Sequence, residues 1–149
     1  MAQKVKYSTE QEEFWAGEFG TEYIQRNQGS KLLASNLDFF SKALSQATNL
    51  KSCIEFGANI GMNLKALKLL YPSVKLSAVE INKDAVKQLN TVIDPKNVYN
   101  NSILEWSPMK TYDLVLLKGV LIHLNPDVLQ DLYNCLLYTS PSPRDFTES

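Results

Sequence analysis

Apolar positions in the first 50 residues recur at helical intervals. A helix that opens at Ser30 is predicted by apolar residues spaced four, three and four positions apart: Leu33, Leu37, Phe40 and Leu44. Upstream, Ser8 and Gln11 have the spacing of a capping box, which marks a helix start. Gly17 and Gly20 interrupt the segment that follows, so two short helices are predicted there rather than one. Residues 1–50 are therefore predicted to be a helical amino-terminal region.

From residue 51 the pattern alternates between short apolar runs and amphipathic segments. Strands are predicted at 52–57, 75–80, 97–99 and 112–117, and helices at 62–70, from Asn82 to about 92, and after Asn125. Strands that alternate with helices predict a parallel sheet with right-handed crossovers, hence a doubly wound α/β fold. The fourth strand is apolar enough to be central in a sheet covered on both faces.

The carboxyl-terminal residues break this alternation. Eleven consecutive residues, Cys135 to Asp145, end in a Ser/Pro string and resemble the translation of a sequencing-library adapter. Residues 135–149 are therefore predicted to be foreign to the fold, and residues 51–134 to be an incomplete core. A natural disordered tail is the alternative that a Ser/Pro composition permits. In a sheet that stopped here, the fourth strand would become an exposed apolar edge.

Composition narrows the functional classes. The 149 residues are 44% hydrophobic and 21% charged, with a net charge of −1 and scattered basic residues. This predicts one soluble domain without the charge pattern of a nucleic-acid or membrane binder. The amino terminus lacks the apolar stretch of a signal peptide, so the cytoplasm is the expected compartment. One histidine excludes a multi-histidine metal site, and Cys53 and Cys135 lack metal or redox spacing.

The turn after the first predicted strand carries the most informative motif, Ile54-Glu55-Phe56-Gly57-Ala58-Asn59-Ile60-Gly61. Gly57 lets the backbone turn sharply and approach a ligand, and Gly61 allows close packing where the next helix starts. A nucleotide-like ligand is held at such an edge of a parallel sheet. A dinucleotide fingerprint requires glycine at the positions of Asn59 and Met62, which disfavours a nicotinamide-dependent oxidoreductase but leaves it as an alternative.

Glu80 ends the second predicted strand and is the second candidate in this site. A carboxylate at that position can accept hydrogen bonds from both ribose hydroxyls of an adenosine cofactor. This supports an adenosine cofactor without choosing between nicotinamide and methionine-derived nucleotides. A solvated acid at a helix start is the structural alternative, because acids are favoured there.

The motif around the first turn resembles acid-x-Gly-x-Gly-x-Gly of class I methyltransferases, with Asn59 in place of the middle glycine. Residues 13–27 are similar to the opening of pseudaminic acid biosynthesis-associated methylases, and residues 118–126 resemble their fourth motif. The resemblance covers roughly residues 10–134. It implies a Rossmann-like class I fold, S-adenosylmethionine as cofactor and a small-molecule acceptor, such as a sugar or sugar nucleotide of bacterial nonulosonic acid pathways.

The resemblance also implies roles for residues after the third and fourth strands. Asn101 and Ser102 stand where methyltransferases hold the adenine edge, although both are also common turn formers. Lys118 and Gly119 would border the methionine part of the cofactor. His123 is a candidate general base for a substrate hydroxyl or amine, and a locally hydrogen-bonded histidine is the alternative.

Related enzymes close the cofactor site with an amino-terminal lid. Its candidate residues here are Trp15, Phe19, Tyr23, Arg26 and Asn27. Arg26 would pair with the cofactor carboxylate; the alternatives are core packing for the aromatic residues and a solvated side chain for Arg26. The implied reaction is direct displacement, in which an oxygen or nitrogen attacks the sulfonium methyl group. A non-catalytic nucleotide-binding fragment is the remaining alternative.

Overall fold

A computed structural model of the chain describes residues 7–26 and 28–139. In chain order these residues form α1 (Glu10–Ala16), α2 (Glu18–Arg26), α3 (Ser30–Ala43), β1 (Ser52–Phe56), α4 (Met62–Leu70), β2 (Lys75–Val79), α5 (Lys83–Leu89), β3 (Val98–Tyr99), β4 (Leu114–Leu116) and α6 (Leu129–Thr139). Single 3₁₀ turns lie at Pro95–Asn97, Leu121–His123 and Pro126–Val128. The predicted alternation of strands and helices after residue 51 is confirmed.

The four strands form one parallel sheet in the order β3-β2-β1-β4. Glu55 of β1 lies opposite Ala78 of β2 on one side and Leu116 of β4 on the other. The chain therefore adds strands in one direction up to β3 and then crosses to the opposite side of β1. Such a change of direction between β1 and β4 opens a crevice at the carboxyl ends of the strands, where α/β folds bind ligands.

Alternate residues of each strand pack on opposite faces of the sheet, as the two-residue period of a strand requires. Cys53 and Ala78 face the helical layer that contains Phe40 of α3 and Leu64 of α4. The other face is covered by residues from the segments after β3 and by α6: Ile54, Phe56 and Val79 pack with Trp106, Tyr112 and Leu136. Helices on both faces of a parallel sheet confirm the doubly wound prediction.

The amino-terminal helices differ in detail from the prediction. Two short helices are confirmed, with the break at Gly17, while Gly20 lies inside α2. The capping box predicted at Ser8 and Gln11 is wrong, because it involves Thr9 and Glu12 instead. An ionised carboxylate is a stronger acceptor for backbone N–H groups than a glutamine amide, which favours Glu12 at this position.

Strand β4 also differs from the prediction. It comprises Leu114–Leu116 rather than residues 112–117 and is half-buried. In the described part of the chain it pairs with β1 alone, so it lies at an edge of this sheet, as expected for a sheet that stops at the fourth strand. The flanking residues make other bonds: Tyr112 donates its N–H to the carbonyl of Thr139, and Asp113 accepts from the N–H groups of Lys51 and Ser52.

Helix α6 passes without a break through the predicted boundary at residue 135. Its last residue, Thr139, is fully buried and hydrogen-bonds to the carbonyl of Cys135 through its hydroxyl. Residues 135–139 are thus packed as part of the domain. Residues 140–149 lie outside the described residues, and the foreign origin of 135–149 stays a prediction.

The predicted amino-terminal lid region divides into two parts. Helix α3 packs on α4 and contributes Phe40 to the core, whereas α1 and α2 lie at the carboxyl edge of the sheet. None of the helices within 7–26 and 28–139 is long and apolar enough to cross a membrane.

Candidate functional site

A cavity of about 260 Å³ lies at the carboxyl edge of the sheet. The loop after β1 and the residues after β2 form its floor, and the segments after β3 and β4 form its sides. Helices α1 and α2 close it from above. Nine of the residues selected from the sequence line it: Trp15, Tyr23, Gly57, Asn59, Glu80, Ser102, Lys118, Gly119 and His123. The fold therefore brings most of the predicted site to the crevice where a ligand is expected.

The loop after β1 depends on left-handed backbone conformations. Gly57 has φ of 71°, and a Cβ built there would lie 2.7 Å from Cγ2 of Val120. Asn59 has φ of 50°, a region that asparagine tolerates better than most residues with a side chain. Asn59 can therefore replace the middle glycine of the motif without losing the turn. Its side chain still borders the cavity, where a pyrophosphate would need close backbone approach.

Glu80 is held in one orientation by backbone groups. Its Oε2 accepts the N–H of Asn59 at 2.7 Å, and its Oε1 accepts the N–H of Asn82 at 2.8 Å. The side chain is buried, and burial raises the pKa of Glu80, while these hydrogen bonds oppose the rise. Each carboxylate oxygen retains a lone pair, so Glu80 can accept ligand hydroxyls at the cavity floor.

Glu55 does not line the cavity, but it hydrogen-bonds to Asn63, which does. Asn63 donates from Nδ2 to Oε1 of Glu55 at 2.6 Å. Lys118 donates from Nζ to Oδ1 of Asn36 at 3.0 Å and is 3.5 Å from Oδ1 of Asn63. Asn36, Asn63 and Lys118 line the cavity, so the predicted role of Glu55 is indirect. Burial raises the pKa of Glu55 to about 8, and its Oε2 has no hydrogen-bond partner among the described residues.

A buried carboxylate from α1 lines the opposite end of the cavity. Oε2 of Glu12 accepts the N–H groups of Ser8 at 2.7 Å and Thr9 at 3.0 Å, while its Oε1 accepts the hydroxyl of Ser102. The sequence analysis did not select Glu12. The Thr-x-x-Glu spacing of Thr9 and Glu12 is a sequence signal for the capping role of Glu12. Its contact with Ser102 joins residues far apart in the chain, so no local pattern in the sequence indicates it.

Aromatic residues of α1 and α2 form the roof of the cavity. The Trp15 ring contacts Tyr23 edge-on, with ring centroids 5.2 Å apart, and tilts over His123 at 4.7 Å. Phe19 packs edge-on against Trp15 and stacks on Phe14. His123 is exposed on its other side. The predicted base therefore sits at the cavity mouth beneath a tryptophan.

The remaining predicted residues lie away from the cavity. Gly61 caps α4 with φ of 83°, and a Cβ there would lie 2.7 Å from Cδ1 of Leu89, so its role is close packing. Arg26 ends α2 with an exposed side chain. Asn101 is exposed, and its Oδ1 accepts the N–H of Ser102. Asn27 lies outside the described residues.

Asn82 links the end of α1 to the sheet through hydrogen bonds. Its Oδ1 caps α5, and its Nδ2 contacts the carbonyl oxygens of Trp15 at 3.1 Å and Gly17 at 3.3 Å. We expect Asn82→Ala to lower the free energy of unfolding by about 2 kcal/mol, because it removes the cap of α5 and the hydrogen bonds from Nδ2 to the end of α1. Urea denaturation measures this loss. Asn90→Ala, an exposed change at the other end of α5, should change it by less than about 0.5 kcal/mol; equal losses would contradict the fastening role.

The sequence of the chain matches no protein-family model and no curated protein. Its fold is similar to solved methyltransferase structures. The plantazolicin methyltransferase BpumL with bound S-adenosylhomocysteine is 17% identical with a TM-score of 0.65, over 88% of this chain and 53% of its own. An S-adenosylmethionine-dependent methyltransferase from Archaeoglobus fulgidus is 18% identical with a TM-score of 0.64, over 83% and 54%.

A third similar structure is CalS10 from Micromonospora echinaspora, an aminopentose methyltransferase involved in calicheamicin biosynthesis, bound to S-adenosylmethionine. It is 10% identical with a TM-score of 0.63, over 82% of this chain and 52% of its own. This chain spans about half the length of these structures. At such low identity the likeness establishes the fold, and this chain has the Rossmann-like fold of class I methyltransferases.

Proposed function

We propose that the chain is the cofactor-binding part of an S-adenosylmethionine-dependent methyltransferase. The observation that carries this proposal is the cavity at the carboxyl edge of β1 and β2, where the Glu80 carboxylate faces the Gly57 turn. A carboxylate that ends the second strand suits a ribose diol, and a glycine turn admits the rest of a nucleoside. The chemistry of the donor set therefore fits this cofactor.

The charged residues that line the cavity indicate which end of the cofactor would bind at which end of the cavity. Lys118 lies beyond the carboxyl end of β4, with its Nζ held by the uncharged amide of Asn36. A cation with neutral partners suits the carboxylate of a methionine group. Glu80 lies on the β2 side, so the nucleoside would extend from there toward β3. The methyl group would then lie between these two ends, near the cavity mouth.

His123 stands at that mouth. When bound, S-adenosylmethionine would supply an electrophilic methyl group, and attack by the acceptor forms an oxygen–carbon or nitrogen–carbon bond while the sulfur–carbon bond breaks. The ring nitrogen of His123 would take the proton that the acceptor hydroxyl or amine gives up. Trp15 limits the orientations of the imidazole through the 4.7 Å ring contact. The chain's residues thus position the reactants, which supplies much of the rate in such a displacement.

We further propose a small-molecule acceptor, a sugar or sugar nucleotide of the nonulosonic acid pathways. The resemblance of residues 13–27 and 118–126 to pseudaminic acid-associated methylases supports this choice. One structurally similar protein, CalS10, is an aminopentose methyltransferase. The cavity beneath Trp15 and Tyr23 also offers aromatic faces on which a sugar ring can stack.

A thermal melt with S-adenosylhomocysteine or with NADH tests the cofactor. At a ligand concentration one hundred times its Kd, S-adenosylhomocysteine should stabilise the chain by about 2.7 kcal/mol, a rise in Tm of roughly 5–10 °C, because it binds the folded state. NADH should leave Tm unchanged. A rise with NADH alone would replace the methyltransferase by a nicotinamide-dependent oxidoreductase.

A variant at Glu80 locates the binding site. Glu80→Gln should weaken S-adenosylhomocysteine about 10- to 100-fold, since the ribose loses hydrogen bonds to a charged acceptor. Glu22→Gln on the exposed face of α2 removes the same charge and should bind like the wild type. Equal affinity of all three proteins would show that the ligand binds elsewhere.

A further inference from the structure

The end of the cavity near β3 is built to recognise the base of a nucleoside. Strand order places β3 on the far side of β2 from β1 and β4, so a ribose at Glu80 has Lys118 on one side and Ser102 on the other. Ile81 and Ile103 are half-buried and line this end, where they offer apolar surfaces to a planar ring. A nucleobase edge that enters here meets the polar atoms between them.

Those polar atoms come from two distant parts of the chain. Ser102 follows β3, and Glu12 belongs to α1; both are at most 6% exposed and both line the cavity. Asn101, beside Ser102, is exposed and uses its Oδ1 to accept the N–H of Ser102. The buried acceptors at this end are therefore Oε1 of Glu12 and Oγ of Ser102.

The position of Glu12 is fixed by several hydrogen bonds. Its Oε2 is occupied by the N–H groups of Ser8 and Thr9, which hold the carboxylate at the start of α1. Its Oε1 contacts the hydroxyl of Ser102 and retains a lone pair. A carboxylate that has no hydrogen of its own can only accept, so this end of the cavity selects a ligand edge that donates.

We propose that Glu12 is the residue that selects adenine over other purines, an inference that rests on the proposed function. The exocyclic amino group of adenine donates a hydrogen bond, and Oε1 of Glu12 accepts it. Hypoxanthine carries a carbonyl oxygen at the same ring position, which would face the carboxylate oxygen and be repelled. The selecting group thus comes from the amino-terminal roof, so recognition of the base requires that α1 be docked.

Binding of S-adenosylhomocysteine and of S-inosylhomocysteine to the full chain tests this assignment. These probes differ at the six-position, where a carbonyl replaces the amino group, and at the adjacent ring nitrogen, which gains a hydrogen, so comparison with the Glu12→Gln variant isolates the part of the preference that Glu12 carries. Calorimetry should give a preference for S-adenosylhomocysteine of about tenfold or more, as expected for a hydrogen bond to a charged acceptor. Glu12→Gln should reduce the preference to about threefold or less, because its amide offers both a donor and an acceptor.

Glu13→Gln is the matched control, since it removes the same charge from the adjacent, exposed position of α1. It should keep the wild-type preference, and melts without ligand should show that both variants are folded. An unchanged preference in Glu12→Gln would overturn the assignment, as would equal binding of both probes to the wild type. In either case binding of S-adenosylhomocysteine would still support the methyltransferase, whereas failure of both probes to bind would overturn the proposed function as well.

Discussion

Replacing Gly20 by alanine is expected to undock α1 from the sheet. Gly20 lies in α2 where it crosses the end of α1, and a Cβ there would be 1.9 Å from the carbonyl oxygen of Trp15. It would also lie 2.9 Å from Nδ2 of Asn82, the side chain that fastens this junction. Backbone atoms cannot rotate away as a side chain can, so the two helices must separate.

The separation should affect stability and binding differently. Overpacking of this kind costs about 1–3 kcal/mol, which the core beneath α3 and α4 can survive. Binding of S-adenosylhomocysteine should fall more than tenfold, because Glu12 and Trp15 would leave the cavity. Urea denaturation and calorimetry on the same protein measure the two effects, and the tryptophan emission, to which Trp15 and Trp106 both contribute, should shift toward that of a solvated indole.

Gln25→Ala is the control for this prediction. Gln25 is exposed on the same helix and carries no cavity contact, so its loss should leave both stability and affinity near the wild-type values. If Gly20→Ala bound S-adenosylhomocysteine as well as the wild type does, the roof would have no part in holding the cofactor. The adenine selection assigned to Glu12 would then lose its structural basis.

The sequence predicted correctly those helix limits, caps and turns that depend on residues close together in the chain. The helix predicted at 62–70 is α4 with the same limits, because Gly61 starts it and Tyr71-Pro72 ends it. Asn82 was predicted to cap a helix, and its Oδ1 accepts the N–H groups of Asp84 and Ala85. The Gly57 turn and Glu80 were placed correctly because strand ends of a parallel sheet meet at one edge.

Long-range contacts account for what the sequence did not predict. Glu12 and Asn36 line the cavity, yet their partners, Ser102 and Lys118, lie 90 and 82 residues away in the sequence. Asn63 also lines it, and its contact with Glu55 joins α4 to β1 across the turn between them. Arg26 was selected from the lid segment of the related enzymes as a partner for the cofactor carboxylate, and its position at the end of α2 leaves it in solvent. The spacing rule for a capping box was satisfied by overlapping pairs, so a pattern alone could not choose between them.

The second large effect is expected at Glu55, whose ionisation makes stability depend on pH. Burial in β1 raises its pKa from the 4.5 of an ordinary glutamate to about 8, and the nearby Glu80 adds to the rise, while Asn63 and Lys118 oppose it. Between these values the folded chain binds more protons than the unfolded chain. The free energy of unfolding therefore falls as the pH rises from 4.5 to 8, by at most about 5 kcal/mol.

Glu55→Gln should remove this dependence. Glutamine has nearly the same shape and carries no charge at any pH, so the variant should match the wild type within about 1 kcal/mol at pH 5. At pH 9 it should be the more stable protein by several kcal/mol. Burial also raises the pKa of Cys53, so both proteins lose some stability near pH 9 as this thiol ionises in the unfolded chain, and the contribution cancels in the difference between their profiles. Denaturation in urea from pH 5 to pH 9 gives both profiles, with Glu22→Gln as the exposed control.

The same measurement shows whether the positive charge of Lys118 is available to a ligand or is neutralised by Glu55. If the profiles diverge above pH 5 as expected, Glu55 is largely protonated at pH 7, and the Nζ of Lys118 is held by the neutral amides of Asn36 and Asn63. Its charge is then available to a ligand carboxylate. Parallel profiles for the wild type and Glu55→Gln would mean that Glu55 is ionised at neutral pH. Its charge would then neutralise Lys118 through Asn63, and the site would lose the cation proposed to hold the methionine group.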